Sequence, residues 1–231
     1  MRTLLCLHGS GHTADSFSDQ RAAIADCCAL SLPGHPHGPA LTSVGACVDW
    51  LEEWRRAAAI DRPVIAGNSL GGAIGLAYAL RYPDSLAGLV LIGTGARLKV
   101  APSILRMLAQ RWPACIDDLI DYTLSAAAGL DLRSRLENWH VTVGQESTVL
   151  DYRACDEFDV MNDVRTIAVP SLIIVGSADR MTPPKYSEYL ARSIDGSQLR
   201  IVEGAGHMPH AEQPSLVNAM ICEFLADRAG A

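Results

Sequence analysis

The sequence predicts an α/β fold: a doubly wound, mostly parallel sheet of about six strands, interrupted by a helical insertion. Three observations carry this reading. Apolar runs recur ahead of turn residues at Leu4 to Leu7, Cys27 to Leu32, Val64 to Ala66, Leu89 to Ile92, Leu172 to Val175 and Leu199 to Val202. Continuous rather than alternating apolar runs are what strands buried on both faces require. Segments of helical period lie between several of them, and the stretch from Arg97 to Thr166 has helical periodicity without a convincing strand. With 231 residues the chain has room for one full core and an insertion, not for two ordinary domains and a linker.

The elements follow in order. Leu4 to Leu7 runs as a strand into His8-Gly9-Ser10-Gly11, and Cys27 to Leu32 runs into a loop dense in Pro, Gly and His, Pro33 to Pro39. Val44, Cys47, Val48 and Leu51 fall on one helical face. Val64 to Ala66 is a strand that turns sharply at Gly67 to Gly71 into a helical run reaching Leu80. After the strand Leu89 to Ile92, Ile116, Leu119 and Ile120, then Leu132, Leu136 and Trp139, mark helices of the insertion. Leu172 to Val175 is followed by a helix carrying Tyr186, Tyr189 and Leu190. After Leu199 to Val202 a last helix opens at Pro214, with Val217, Met220, Ile221 and Phe224 at i, i+3, i+4 and i+7. Residues 1–96 and 167–231 thus form the sheet core, and 97–166 a helical cap.

Composition narrows the function. A formal net charge of −7, with acidic residues scattered along the chain, provides no basic surface for nucleic acid. The uncharged stretch Val64 to Leu80 is broken by Gly67, Asn68, Ser69, Gly71 and Gly72, which suits strand, turn and helix rather than a membrane span. The N-terminal run ends in His-Gly with no secretory cleavage pattern. Seven cysteines at irregular spacings, including the adjacent Cys27 and Cys28, do not form a disulfide framework and point to reduced thiols in the cytoplasm. His8 and His12, and His35 and His37, are spaced like metal ligands, but glycines and prolines break the helix such pairs need, so no metal site is expected. The expected partner is a small-molecule substrate, with no cofactor, nucleic acid or membrane.

The chemistry concentrates at Gly67-Asn68-Ser69-Leu70-Gly71. A serine in a tight strand-to-helix turn adopts a backbone conformation that β-carbons resist, so the residues two positions away on each side must be small. Ser69 then stands at the carboxyl edge of the sheet, over the positive end of the following helix. A hydroxyl needs a base to become a nucleophile, and the base needs a carboxylate. After the strand Leu172 to Val175 comes Asp179, and after Leu199 to Val202 comes His207, whereas the loop after Leu89 to Ile92, Gly93-Thr94-Gly95-Ala96, has no acid. His210 lies further from its strand end than His207, which is therefore taken as the base. The Leu70 and Ser10 backbone N–H groups are the candidate oxyanion donors. Arg106, Arg111, Arg133 and Arg135 on the insertion are open to two readings, a substrate-carboxylate site or a solvated face.

Taken together, His8-Gly9, Leu32-Pro33-Gly34-His35, Gly67 to Gly72, Ser177-Ala178-Asp179 with Pro183, and Gly206-His207 with Glu212-Gln213-Pro214 resemble the α/β-hydrolase superfamily over nearly the whole chain. Within it they are similar to the compact esterase, enol-lactonase and carbon-carbon hydrolase branches that carry a small helical cap. The resemblance implies that Leu4 to Leu7 matches the third strand of that fold, without the usual opening hairpin. Serine at position 69, where dehalogenases and epoxide hydrolases of the fold use aspartate, favours ester-type acyl transfer. Met208 follows His207 where the carbon-carbon hydrolases often place an aromatic residue. The expectation is a carboxylic-ester hydrolase. Lactone, thioester or carbon-carbon cleavage by the same triad, and a non-catalytic receptor on the same scaffold, stay open at this point.

Overall fold

The computed structural model describes residues 3–227. Each apolar run becomes a strand: β1 (Leu4–Leu7), β2 (Cys27–Leu30), β3 (Val64–Asn68), β4 (Gly88–Ile92), β5 (Ser171–Gly176) and β6 (Gln198–Val202). They form one six-stranded sheet of order β2-β1-β3-β4-β5-β6, and every neighbouring pair is parallel. The helices are α1 (Ser18–Ala23), α2 (Val44–Ala57), α3 (Leu70–Arg81), α4 (Pro102–Gln110), α5 (Ile116–Thr123), α6 (Leu130–Glu157), α7 (Lys185–Ser193), α8 (Pro209–Glu212) and α9 (Pro214–Ala226).

Alternate strand residues face opposite sides, and both sides are covered, which explains the unbroken apolar runs. Leu5, Leu7, Ile65, Leu89, Leu91 and Ile173 pack with Val48 and Leu51 of α2, Ile74 of α3 and Leu190 of α7. Leu4, Cys6, Val64, Ala66, Val90, Ile92, Leu172 and Ile174 meet Phe17 and the α9 residues Val217, Ile221 and Phe224. The chain enters at β1, adds β2 on one side, then crosses to add β3 on the other. The two loops that leave β1 and β3 therefore diverge to opposite faces, and a crevice opens between them at the carboxyl ends of the strands.

The insertion between β4 and β5 consists of α4, α5 and α6, and α6 breaks at Gly144, whose φ of 83° and ψ of 171° are non-helical. Its helices are amphipathic and share clusters with the core: Ile116, Ile120, Leu132, Leu136 and Trp139 pack against Met208 of the β6–α8 loop. Cys155, Phe158 and Val164 join the main core. Asp151 of α6 fastens the insertion from below, accepting from the Gly11 N–H at 2.8 Å and lying 2.9 Å from His35 Nε2. All seven cysteines are free thiols, and among the described residues no helix is long and apolar enough to cross a membrane.

Candidate active site

Ser69 sits where β3 ends and α3 begins, with φ 53° and ψ −113°. Such a conformation costs a non-glycine residue about 1–3 kcal/mol and persists only where the surroundings enforce it. Here they do. A β-carbon on Gly67 would run into the backbone of Gly71 and Gly72, and one on Gly71 into the Leu7 carbonyl. The Ser69 N–H donates to Ile92 O at 2.9 Å, and the Ser69 carbonyl accepts from Thr94 Oγ1 at 2.9 Å. Leu70 buries its side chain in the core and is the first residue of α3, at the positive helix end.

Asp179 and His207 come together from the loops after β5 and β6. His207 Nδ1 lies 2.9 Å from Asp179 Oδ2. Because an ionised carboxylate only accepts, Nδ1 carries the proton and a neutral ring keeps its lone pair on Nε2. Asp179 Oδ1 accepts from the Met181 and Thr182 N–H groups, both at 2.9 Å, and Oδ2 also accepts from Thr182 Oγ1 at 2.8 Å. Burial pushes this carboxyl up, but the charge and hydrogen bond of His207 and the bonds from Thr182 outweigh it and hold Asp179 below its ordinary value. Asp179 is therefore ionised at neutral pH.

The backbone of His207 is clamped as well. Its N–H donates to Thr123 O at 2.7 Å, at the end of α5. Its carbonyl accepts from Asn68 Nδ2 at 3.0 Å, and the same amide donates to Ile92 O at 3.2 Å. Glu212 holds the loop from below, with Oε1 accepting from Gly206 N at 2.9 Å and Oε2 from Ser125 N at 3.0 Å.

Ser69, His207, Gly9 and Ser10 line one cavity of about 260 Å³, together with the wall residues Leu98, Val100, Ile104, Tyr122, Tyr152, Met181 and Tyr186. Asp179 lies behind His207. His12 is also in the lining; burial, with the neighbouring imidazoles, drives its pKa well below the ordinary value, so it is a neutral ring. His8 is not a ligand-like group: its Nε2 accepts from Leu32 N at 3.0 Å, Nδ1 lies 2.8 Å from Gly9 O, and burial lowers its pKa to about 3. His35 is held by Asp151 and the Pro33 carbonyl.

The structure thus brings together Ser69, His207, Asp179 and the Ser10 loop, and places His210 elsewhere, buried and stacked on Phe17 at 4.5 Å. None of Arg106, Arg111, Arg133 and Arg135 lines the cavity; Arg111 pairs with Asp118 at 2.8 Å and Arg133 with Asp121 at 2.6 Å. Asn68 and Thr123 escape the sequence reading, since their contacts to His207 join distant parts of the chain that no local spacing links; Thr182 escapes it although its contact to Asp179 spans only 3 positions. Arg180 escapes it too, although it directly follows Asp179.

Comparison with known proteins places this geometry in context. The profile described as "Alpha/beta hydrolase family" matches residues 4–220. The pimeloyl-[acyl-carrier protein] methyl ester esterase of Neisseria meningitidis serogroup B is 27% identical over 245 residues, covering 97% of this chain and 93% of that protein. A solved thermophilic esterase superposes with a TM-score of 0.89 at 30% identity, covering 99% of this chain and 91% of its own. The enol-lactonase of Burkholderia xenovorans has the same fold, with a TM-score of 0.89 at 20% identity over 98% of this chain and 92% of its own.

Proposed function

This chain belongs to the alpha/beta hydrolase family, and from that premise we propose that it is a serine hydrolase cleaving the carboxylic ester of a small molecule through an acyl-enzyme. The observation that carries the reading is the Asp179–His207 hydrogen bond of 2.9 Å, which supports a ring whose free nitrogen serves the same cavity as Ser69. Ser69 Oγ attacks the ester carbonyl carbon while His207 Nε2 takes its proton. The tetrahedral oxyanion is held by the Ser10 and Leu70 N–H groups. His207 returns the proton to the departing alkoxide, and water, activated by the same ring, then frees the acid and restores Ser69. Asp179 fixes the ring's tautomer and stabilises its cation.

Residues 97–166 act as the cap: Ile104, Tyr122, Thr123 and Tyr152 supply one side of the cavity. The named activity of the meningococcal relative makes methyl esters the natural first substrates. The free thiols suit a reducing, cytoplasmic setting. The test is initial rates on p-nitrophenyl acetate, butyrate and octanoate and on methyl esters, beside lactone, thioester and carbon-carbon substrates, with products identified. Ester turnover with release of the free acid is expected. Faster turnover of another bond class would replace the ester assignment, and no turnover with tight stoichiometric ligand binding would replace the enzyme by a receptor.

A further inference from the structure

The candidate cavity is lined by charge of one sign. Among the described residues, Lys99 and Arg180 contribute to its walls and no Asp or Glu does, in a chain whose formal net charge is −7. Lys99 is already paired, with Nζ 3.1 Å from Asp156 Oδ1. Arg180 differs: among the described residues it makes no ion pair, and the two acids beside it in the adjoining hollow, Asp118 and Asp121, are taken by Arg111 and Arg133.

Arg180 is nonetheless oriented. Its guanidinium lies 4.5 Å from the centroid of the Tyr122 ring, and Nη1 donates to the Asp121 carbonyl at 3.2 Å. That uses one of the donors of a planar fork and leaves the others free, in a group whose geometry matches a carboxylate. The positive character continues outward. A groove sharing Lys99 and Tyr186 with the cavity is lined by Arg97, Lys185 and Arg192 and, among the described residues, by no acid, although Arg97 lies 3.7 Å from Asp159 and Arg192 3.8 Å from Glu188. Lys185 makes no ion pair among the described residues and sits 5.8 Å from the Tyr186 ring. Charges of one sign along a cleft raise the local concentration of the opposite ion.

We propose that Arg180 receives a carboxylate carried by the substrate away from the scissile ester, which makes hemiesters of dicarboxylic acids the preferred substrates. The inference rests on the ester-hydrolase reading and names its substrate class. Arg180 sits one residue from Asp179, so the substrate's free carboxylate is received by the same β5–α7 loop that orients the base, while the ester carbonyl faces the Ser10 and Leu70 N–H groups.

The experiment compares kcat/KM for monomethyl and dimethyl esters of short dicarboxylic acids of graded length, in the wild type, Arg180→Gln and Arg180→Lys. The wild type should favour the monomethyl ester by about tenfold or more at its best length, mainly through KM, because charge-assisted pairs are the strong ones. Arg180→Gln should bring the ratio close to parity, Arg180→Lys should restore part of it, and added salt should erode it. A wild type without preference, or an Arg180→Gln variant in which both esters slow together and the ratio survives, overturns the proposal. If the wild type cleaves neither, the p-nitrophenyl esters separate the two failures: turnover of those alone overturns the dicarboxylate proposal, and turnover of no ester removes the ester reading and the proposal with it.

Discussion

The carboxyl end of the sheet and the insertion above it use glycine in opposite ways. Under Ser69, Gly71 presses against the Leu7 carbonyl so closely that a β-carbon has no place, whereas a β-carbon on Gly129, which precedes α6, would meet nothing. The first region is held by parallel strands, the Ile92 and Thr94 bonds to Ser69, and the Asn68 bridge to His207. The second is held by amphipathic packing and by Asp151. A turn that must keep a serine at φ 53° leaves no slack; helices that only shape a cavity can tolerate more. On the proposed function, the contrast separates the part of the molecule assigned the chemistry from the part assigned the selection of what reaches it.

Four measurements bear on this contrast, from the largest expected effect downward. Asp179→Asn should leave the fold intact and lower kcat by about 10⁴, since the amide favours the wrong tautomer of His207; a loss below tenfold would detach Asp179 from the mechanism. Gly71→Ala should cost more than about 4 kcal/mol or prevent folding, read from denaturant unfolding, because backbone rather than a flexible side chain opposes the methyl group.

At the junction of the two regions, Asp151→Ala should cost about 3 kcal/mol by stranding the Gly11 N–H and His35. Its pH dependence has a definite sign. Burial disfavours the His35 cation, but the bond to Asp151, its charge and the Pro33 carbonyl outweigh that and raise the imidazole above its ordinary value. The pair's contribution is therefore full below the ordinary histidine pKa of 6.5 and fades as pH rises through the raised folded value. Hydrogen exchange in α6 should quicken over that range, and a pH-independent rate of local opening would refute the coupling. Gly129→Ala should shift stability by no more than about 0.5 kcal/mol; a larger loss would mean the insertion is packed as tightly as the elbow.

The same contrast explains what could be read from the sequence. The strands were legible because burial on both faces leaves unbroken apolar runs such as Leu172 to Val175. The placement of Ser69, Asp179 and His207 at one end of the sheet was legible because each follows a strand end, and the chain order of those ends is visible. The supports were not. Asn68 bonds to His207 across 139 positions, and Glu212 reaches Ser125 across 87; such contacts follow from how loops meet over the sheet, which no local spacing encodes. Arg106, Arg111, Arg133 and Arg135 sit outside the cavity, because which face of a helical insertion meets the core depends on packing, while Arg180, which lines it, lies outside the insertion on the loop after β5.

The central claim is that Ser69 is the nucleophile. Labelling the protein with a fluorophosphonate, followed by peptide mass spectrometry, tests it most directly, with Ser69→Ala carried in parallel. A single adduct at Ser69 in the wild type, no adduct in the variant, and a fall in ester turnover of at least about a thousandfold are expected. An adduct on another residue, or Ser69→Ala turning over esters at a near-normal rate, would contradict it.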